Sequence, residues 1–207
     1  MISFGKSKVF VDMPLIDYLD LSGMLGILAC VLFTTNFLMG MLLSVTYQRL
    51  SWWSRLPLII RQLNMTNLHN YTAYIAWCVA LLHALLLPMD NGLGFHWSHL
   101  IWGLNAPKQP VFVLLGSISL MGFAFIIITT QKSIKRSLGF RFWKNIHLLS
   151  YCLAIIFIVH GLFMDPLLKD RSPDWFDAEK AVVELCGIAL LIATYFRIRY
   201  HFSAQRS

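Results

Sequence analysis

The chain has 207 residues, of which 57% are hydrophobic and 13% are charged. This balance is typical of a helical membrane protein and excludes an ordinary soluble domain. The formal net charge of +7 is explained by basic loops beside anionic lipid, so it does not indicate nucleic-acid binding.

Five apolar segments are long enough to cross the hydrocarbon core as helices, which takes about 20 residues each. They are residues 21–45, 69–88, 111–130, 146–164 and 181–196. A sixth segment, 56–63, is too short to cross and has Arg55 and Arg61 beside or within it. We interpret it as interfacial, with Trp52 and Trp53 at the level of the lipid headgroups. The sequence therefore predicts an all-α membrane protein that folds as a five-span transmembrane helix bundle.

The charges of the connecting segments predict the orientation of this bundle. On one side, the loops and the C-terminal tail carry eleven basic residues and no acid, whereas the other side carries six basic residues and nine of the ten acids. Because basic loops stay in the cytoplasm, we predict an extracytoplasmic N-terminal segment (1–20), a transmembrane domain (21–200) and a cytoplasmic tail (201–207). We expect a plasma membrane, of the bacterial inner-membrane type.

Four histidines lie inside the apolar segments, with His69 and His83 in the second and His147 and His160 in the fourth. Imidazole is costly in hydrocarbon unless it pairs or binds a ligand. The two spacings correspond to about 21 and 19.5 Å along a helix, so two layers of ligands fit within a core about 30 Å thick. Imidazole is a standard axial ligand of haem iron. We predict two stacked b-type haems, the inner held by His69 and His147 and the outer by His83 and His160.

The rotational phase of the histidines differs between the two helices. Fourteen residues leave His83 about 40° away from His69, whereas thirteen leave His160 about 140° away from His147. Two explanations stay open for the second helix: a bulge between its histidines, or two haems that meet it at different angles.

Cations at the cytoplasmic ends of the spans are candidates for binding haem carboxylates, since arginine and lysine pair with carboxylates. Those closest in sequence to the histidines are Arg61, Arg141 and Lys144. Anchoring the cytoplasmic face is a simpler role for all three.

Several further residues have roles that the sequence leaves open. His96 and His99 have the spacing of one helical face, so they could bind a metal or a substrate, although an interfacial aromatic segment is the simpler interpretation. Glu184 suits the helix dipole at the outer end of the last span and could also handle protons. Trp77 and Trp143 could lie beside a porphyrin, but packing against a neighbouring helix is the simpler role for Trp77.

The unequal histidine spacings resemble those of the ferric-reductase-like transmembrane domain, a family that includes NADPH oxidases, ferric reductases and a haem-binding subunit of methionine-sulfoxide reductase systems. The motifs are H-x13-H on one helix and H-x12-H two spans later. Flanking residues also agree: Arg61 ahead of Leu68-His69, the stretch 138–143 (LGFRFW) ahead of His147, and His160-Gly161. The similarity covers about residues 21–199.

This resemblance implies electron transfer across the membrane through two bis-histidine b-type haems, from a donor on the cytoplasmic side to an extracytoplasmic acceptor. NADPH oxidases and eukaryotic ferric reductases continue into flavin- and nicotinamide-binding domains, but no Gly-rich dinucleotide loop follows the last span here. We therefore expect no FAD or NAD(P) bound by this chain.

The expected donor is a partner flavin reductase or quinol, and the expected acceptor is a redox protein, ferric iron or oxygen. The chain would be the haem component of an oxidoreductase system that needs its partner. The main alternative is a quinone-reactive haem b anchor subunit of a larger respiratory complex. A third is a transporter or structural subunit without haem.

Overall fold

The computed structural model describes residues 17–45, 53–164 and 178–204. Every regular element within these residues is helical. The α-helices are α1 (Tyr18–Ser44), α2 (Leu58–Arg61), α3 (Met65–Leu86), α4 (Pro110–Thr129), α5 (Lys132–Leu138), α6 (Phe140–Phe163) and α7 (Ala178–Ala204). Of these, α1, α3, α4, α6 and α7 are long and apolar enough to cross a membrane. The predicted all-α, five-span architecture is confirmed.

The five long helices begin before the predicted apolar segments. Helix α3 begins at Met65 and α6 at Phe140, four and six residues before the predicted starts. Side-chain caps account for two of the helix beginnings: Asp17 accepts the backbone N–H of Leu19 at α1, and Asn64 accepts that of Asn67 at α3. Hydropathy locates the part of a helix that suits lipid, whereas capping decides where the helix begins.

The five long helices pack as two antiparallel pairs joined by α7. The most extensive contacts are those of α1 with α3 and of α4 with α6, and α7 packs on α1 and on α6. Three buried or half-buried aromatic rings join the pairs at the centre of the bundle. The ring centroids of Phe33 and Phe123 are 4.5 Å apart, and those of Phe33 and Phe157 are 5.4 Å apart.

The segments outside the long helices agree only in part with the prediction. Helix α2 occupies the predicted interfacial segment and exposes Leu58 and Ile59. Trp53 is buried instead of facing the headgroups, and Trp52 lies outside the described residues. The N-terminal segment before Asp17, most of the acidic outer loop (165–177) and residues 205–207 also lie outside them.

Candidate haem-binding site

The structure brings the four membrane histidines together as two pairs. The ring centroids of His69 and His147 are 6.4 Å apart, and those of His83 and His160 are also 6.4 Å apart. Two imidazoles that bind one metal ion from opposite sides have centroids about 6 Å apart, because each metal–nitrogen bond is about 2 Å long. Both pairs therefore have the spacing that a bis-histidine iron site requires.

Three of the four imidazoles are oriented by a backbone carbonyl of a neighbouring helix. Nδ1 of His69 donates to Asn36 at 3.1 Å, Nδ1 of His83 to Ser22 at 2.6 Å, and Nδ1 of His160 to Phe112 at 2.8 Å. A carbonyl only accepts, so the hydrogen of each ring is on Nδ1. The Nε2 lone pair is then free to bind a metal.

Each of these three rings lies against a glycine four residues after the carbonyl that accepts its hydrogen bond. A Cβ added at Gly40 or Gly26 would lie 3.1 Å from His69 or His83, and one added at Gly116 would lie 2.8 Å from His160. A larger residue would push the ring away from the helix. Glycine therefore allows the imidazole to lie close enough to reach the carbonyl one turn earlier.

His147 differs from the other three histidines. Its buried Nδ1 has no hydrogen-bond partner in the described part of the chain. Its ring stacks on Trp143, with the centroids 5.3 Å apart and the planes at 23°, and the Lys135 amine lies 3.6 Å from the Trp143 ring centre. Trp143 thus packs against His147, and its place beside a porphyrin stays a prediction.

The regular geometry of α6 explains this difference. Helix α6 is α-helical from Phe140 to Phe163, so it has no bulge between its histidines. Thirteen residues of regular helix turn His147 about 140° away from His160. His160 faces Gly116 of α4, and His147 consequently faces different surroundings.

A cavity lies beside the outer pair, His83 and His160. Its walls are mainly apolar or small residues, including Gly26, Ala80 and Gly116. The empty space in and in front of it, open solvent at its mouth included, is about 1220 Å³. A flat, largely apolar macrocycle between the two imidazoles fits this composition.

The cations predicted from sequence proximity are at the surface. The side chains of Arg61, Arg141 and Lys144 are exposed. That they bind a haem carboxylate stays a prediction. Besides His69, the basic residues that act electrostatically on His147 are Lys135 and Arg197. The Arg197 guanidinium donates to the Ser44 hydroxyl. Proximity in the sequence could not identify Arg197, because α7 is far from His147 along the chain and packs on α6 only in the folded bundle.

The structure also places the residues whose roles the sequence left open. His99 is buried, and its Nδ1 accepts the backbone N–H of His96 at 3.1 Å. This hydrogen bond within a single turn favours the structural interpretation. Glu184 is half-buried. Trp77 donates to the carbonyl of Leu120 at 3.0 Å, which supports the packing role.

Sequence reasoning missed the glycines and the carbonyls that hold the rings. One signal was present: Gly26 and Gly40 are fourteen residues apart, as are His69 and His83. Equal spacings on two antiparallel neighbours place the glycines opposite the histidines.

The chain is similar to a protein that is named as a haem-binding subunit. The protein-methionine-sulfoxide reductase heme-binding subunit MsrQ of Azospira oryzae is 26% identical over 137 residues, which are 64% of this chain and 52% of the relative. The chain thus spans about half the length of this curated relative. No solved structure matches the chain significantly.

A family described as the ferric reductase like transmembrane component matches residues 25–158. This match includes His69, His83 and His147 and ends two residues before His160. It covers well over half of the chain and four of the five long helices in whole or in large part. The chain therefore belongs to the ferric-reductase-like transmembrane family and is an integral, multi-pass membrane protein.

Proposed function

We propose that this chain is the haem-binding membrane component of an electron-transfer system and holds two b-type haems. The observation that carries the proposal is the presence of two histidine pairs, each with ring centroids 6.4 Å apart. The name of the Azospira oryzae relative, a heme-binding subunit, supports haem as the cofactor.

Each proposed haem lies between α3 and α6. His69 and His147 hold the inner one, and His83 and His160 hold the outer one. Haem iron held by these histidines would supply one-electron exchange between its ferric and ferrous states. The protein fixes the ring orientations through the carbonyls and glycines of α1 and α4. It also surrounds the sites with apolar side chains, which exclude water and influence the reduction potential.

An aromatic cluster separates the two proposed sites. Phe33 is seven residues from both Gly26 and Gly40 on α1, so it lies midway between the levels of the two pairs. Its ring contacts those of Phe123 and Phe157. This cluster places apolar rings between the two proposed haems at the centre of the bundle.

We assign the cytoplasmic side from the charge distribution and the direction of electron flow from the family resemblance. The basic side carries the His69–His147 pair, so electrons would enter there from a partner flavin reductase or from quinol. They would leave at the His83–His160 pair to a redox protein, ferric iron or oxygen outside. Flavin and nicotinamide would belong to the partner, and the membrane would be a plasma membrane of the bacterial inner type.

Haem stoichiometry tests the cofactor assignment. We expect two haems per chain in a pyridine haemochrome assay of detergent-purified protein. His69→Ala and His83→Ala should each remove one haem, whereas His201→Ala, at an exposed position outside the pairs, should remove none. A single haem would reduce the proposal to one site, and a colourless preparation made with ample haem supply would overturn it.

Sealed vesicles test the transmembrane step. With ferricyanide trapped inside and a reductant added outside, vesicles that contain the wild-type protein should reduce the ferricyanide, and those with His83→Ala should not. Inhibition of this reaction by quinone analogues, with quinol as donor, would favour the quinone-reactive anchor subunit instead.

A further inference from the structure

A buried lysine lies in the wall of the outer cavity. Lys180 is only 7% exposed and lines the same cavity as His83 and His160. Among the described residues that line the cavity, Lys180 alone has a formally charged side chain. Within the described chain it has no hydrogen bond or ion pair.

This position is unfavourable for a cation without an anionic partner. Lys180 is in the first turn of α7, where the partial positive charge of a helix N-terminus repels cations. Burial in an apolar wall adds a desolvation cost. An ionisable residue buried in a membrane protein usually marks a binding site, and both costs here would be offset by an anion.

The helix geometry places the amine near the outer edge of the proposed haem. Val183, on the same face of α7 and one turn further along, contacts Gly161: a Cβ added at Gly161 would lie 3.0 Å from Val183 Cγ1. Gly161 directly follows His160. Lys180 is one turn, about 4.5 Å, closer to the outer end of α7 than Val183. Its side chain therefore extends from the level of the outer histidine pair toward the mouth of the cavity.

We propose that Lys180 binds a carboxylate of the outer porphyrin, which rests on the proposed function. The histidine pair determines where the macrocycle lies, and b-type haem carries its carboxylates along one edge. With those carboxylates directed toward Lys180, the apolar edge lies against the aromatic cluster and the charged edge meets the cation. Lys180 is then a positioning residue that sets the orientation of the haem and the local charge.

Three variants of this chain test the assignment in detergent, first with no electron acceptor present and then with ferricyanide as the acceptor. Lys180→Met removes the charge at similar length, Lys180→Arg keeps it, and Lys108→Met removes a charge from an exposed position on the same predicted side. The readouts are the midpoint potentials of the haems and the rate of haem transfer to apomyoglobin.

We expect Lys180→Met to lower the midpoint potential of one haem, because an unpaired carboxylate favours the ferric state. Loss of that haem should accelerate about tenfold, the effect of removing one charged hydrogen bond. Lys180→Arg and Lys108→Met should behave like the wild type. In a His83→Ala background, where the outer haem is absent, Lys180→Met should change neither the potential nor the retention of the remaining haem.

The opposite results overturn the inference. Potentials and haem retention that are unchanged in Lys180→Met exclude a carboxylate contact. An effect confined to the reduction of an anionic acceptor such as ferricyanide would show that Lys180 binds external anions instead. If the methionine variant does not fold, Lys180→Gln replaces it in the same measurements. Absence of haem from the wild type would be a separate outcome that refutes the proposed function itself.

Discussion

At the scale of single residues, the site depends on glycine as much as on histidine. Gly26, Gly40 and Gly116 each contact an imidazole ring. The Nδ1 of that ring donates to the backbone carbonyl one turn before the glycine on the same helix. A histidine on a membrane helix can adopt several orientations, and this combination selects one. The ligand nitrogen is therefore positioned before any metal binds, which lowers the entropic cost of binding.

The closest of these contacts gives the first prediction. Gly116→Ala would place a Cβ 2.8 Å from His160, so the ring must move away from Phe112, and overpacking of this kind costs about 1–3 kcal/mol. We expect loss of the outer haem in the haemochrome assay. Gly187→Ala, whose Cβ would lie 3.3 Å from a methyl group of Ile158 and outside the wall of the outer cavity, should retain both haems. Equal haem content in the two variants would contradict the role of Gly116.

The exceptional histidine gives a second prediction. Among the described residues, His147 has no acceptor like those of its three counterparts. Such outer partners typically contribute about 10–100-fold to metal affinity. We expect the inner haem to transfer to apomyoglobin at least about tenfold faster than the outer one. His69→Ala should remove the fast phase and His83→Ala the slow phase. A slow phase that disappears in His69→Ala would reverse the assignment.

At the scale of elements, α1 supports the histidine-bearing helix α3 through polar side chains. The Asn36 amide donates to the His69 carbonyl at 2.5 Å and to the Thr72 hydroxyl at 2.8 Å. The Ser22 hydroxyl donates to the His83 carbonyl at 2.9 Å. These bonds match the depth of the two glycines on α1, so one helix both orients the imidazoles and fixes the register of the pair.

Asn36→Ala tests this interface. Interhelical hydrogen bonds in membranes contribute about 0.6 kcal/mol on average and at most about 1.7, so we expect a stability loss in this range by denaturant titration, together with faster loss of the inner haem. Thr35→Ala is the matched control, since Thr35 is exposed and its hydroxyl bonds only within α1. Equal effects of the two substitutions would argue against a specific contribution from Asn36.

At the scale of the whole molecule, the charge asymmetry predicts the orientation of the bundle. We expect a cysteine at Ser98→Cys to react with a membrane-impermeant maleimide in intact cells. A cysteine at Ser137→Cys should react only after the membrane is permeabilised. Both positions are exposed, and the background has its four natural cysteines replaced by alanine. The reverse labelling pattern would place the inner histidine pair on the outside.

The number and class of the spans followed from the sequence because they depend on local properties. A run of about 20 apolar residues suits the hydrocarbon core whatever surrounds it. The pairing of His69 with His147 and of His83 with His160 was also predictable, since antiparallel spans bring residues of similar depth to the same level. The ends of the helices were less accessible, because caps such as Asn64 lie outside the apolar segments.

The environment of each histidine was decided only by the tertiary structure. The spacing of thirteen residues on α6 left a bulge and a difference in angle equally open, and the regular helix that forms places only His160 over a glycine of α4. Likewise, the sequence alone predicts for Lys180 only a cation in the loop before the last span. The burial of a side chain and the residues that it contacts depend on which helices become neighbours. The neighbours are determined by packing across the bundle and not by any local sequence pattern.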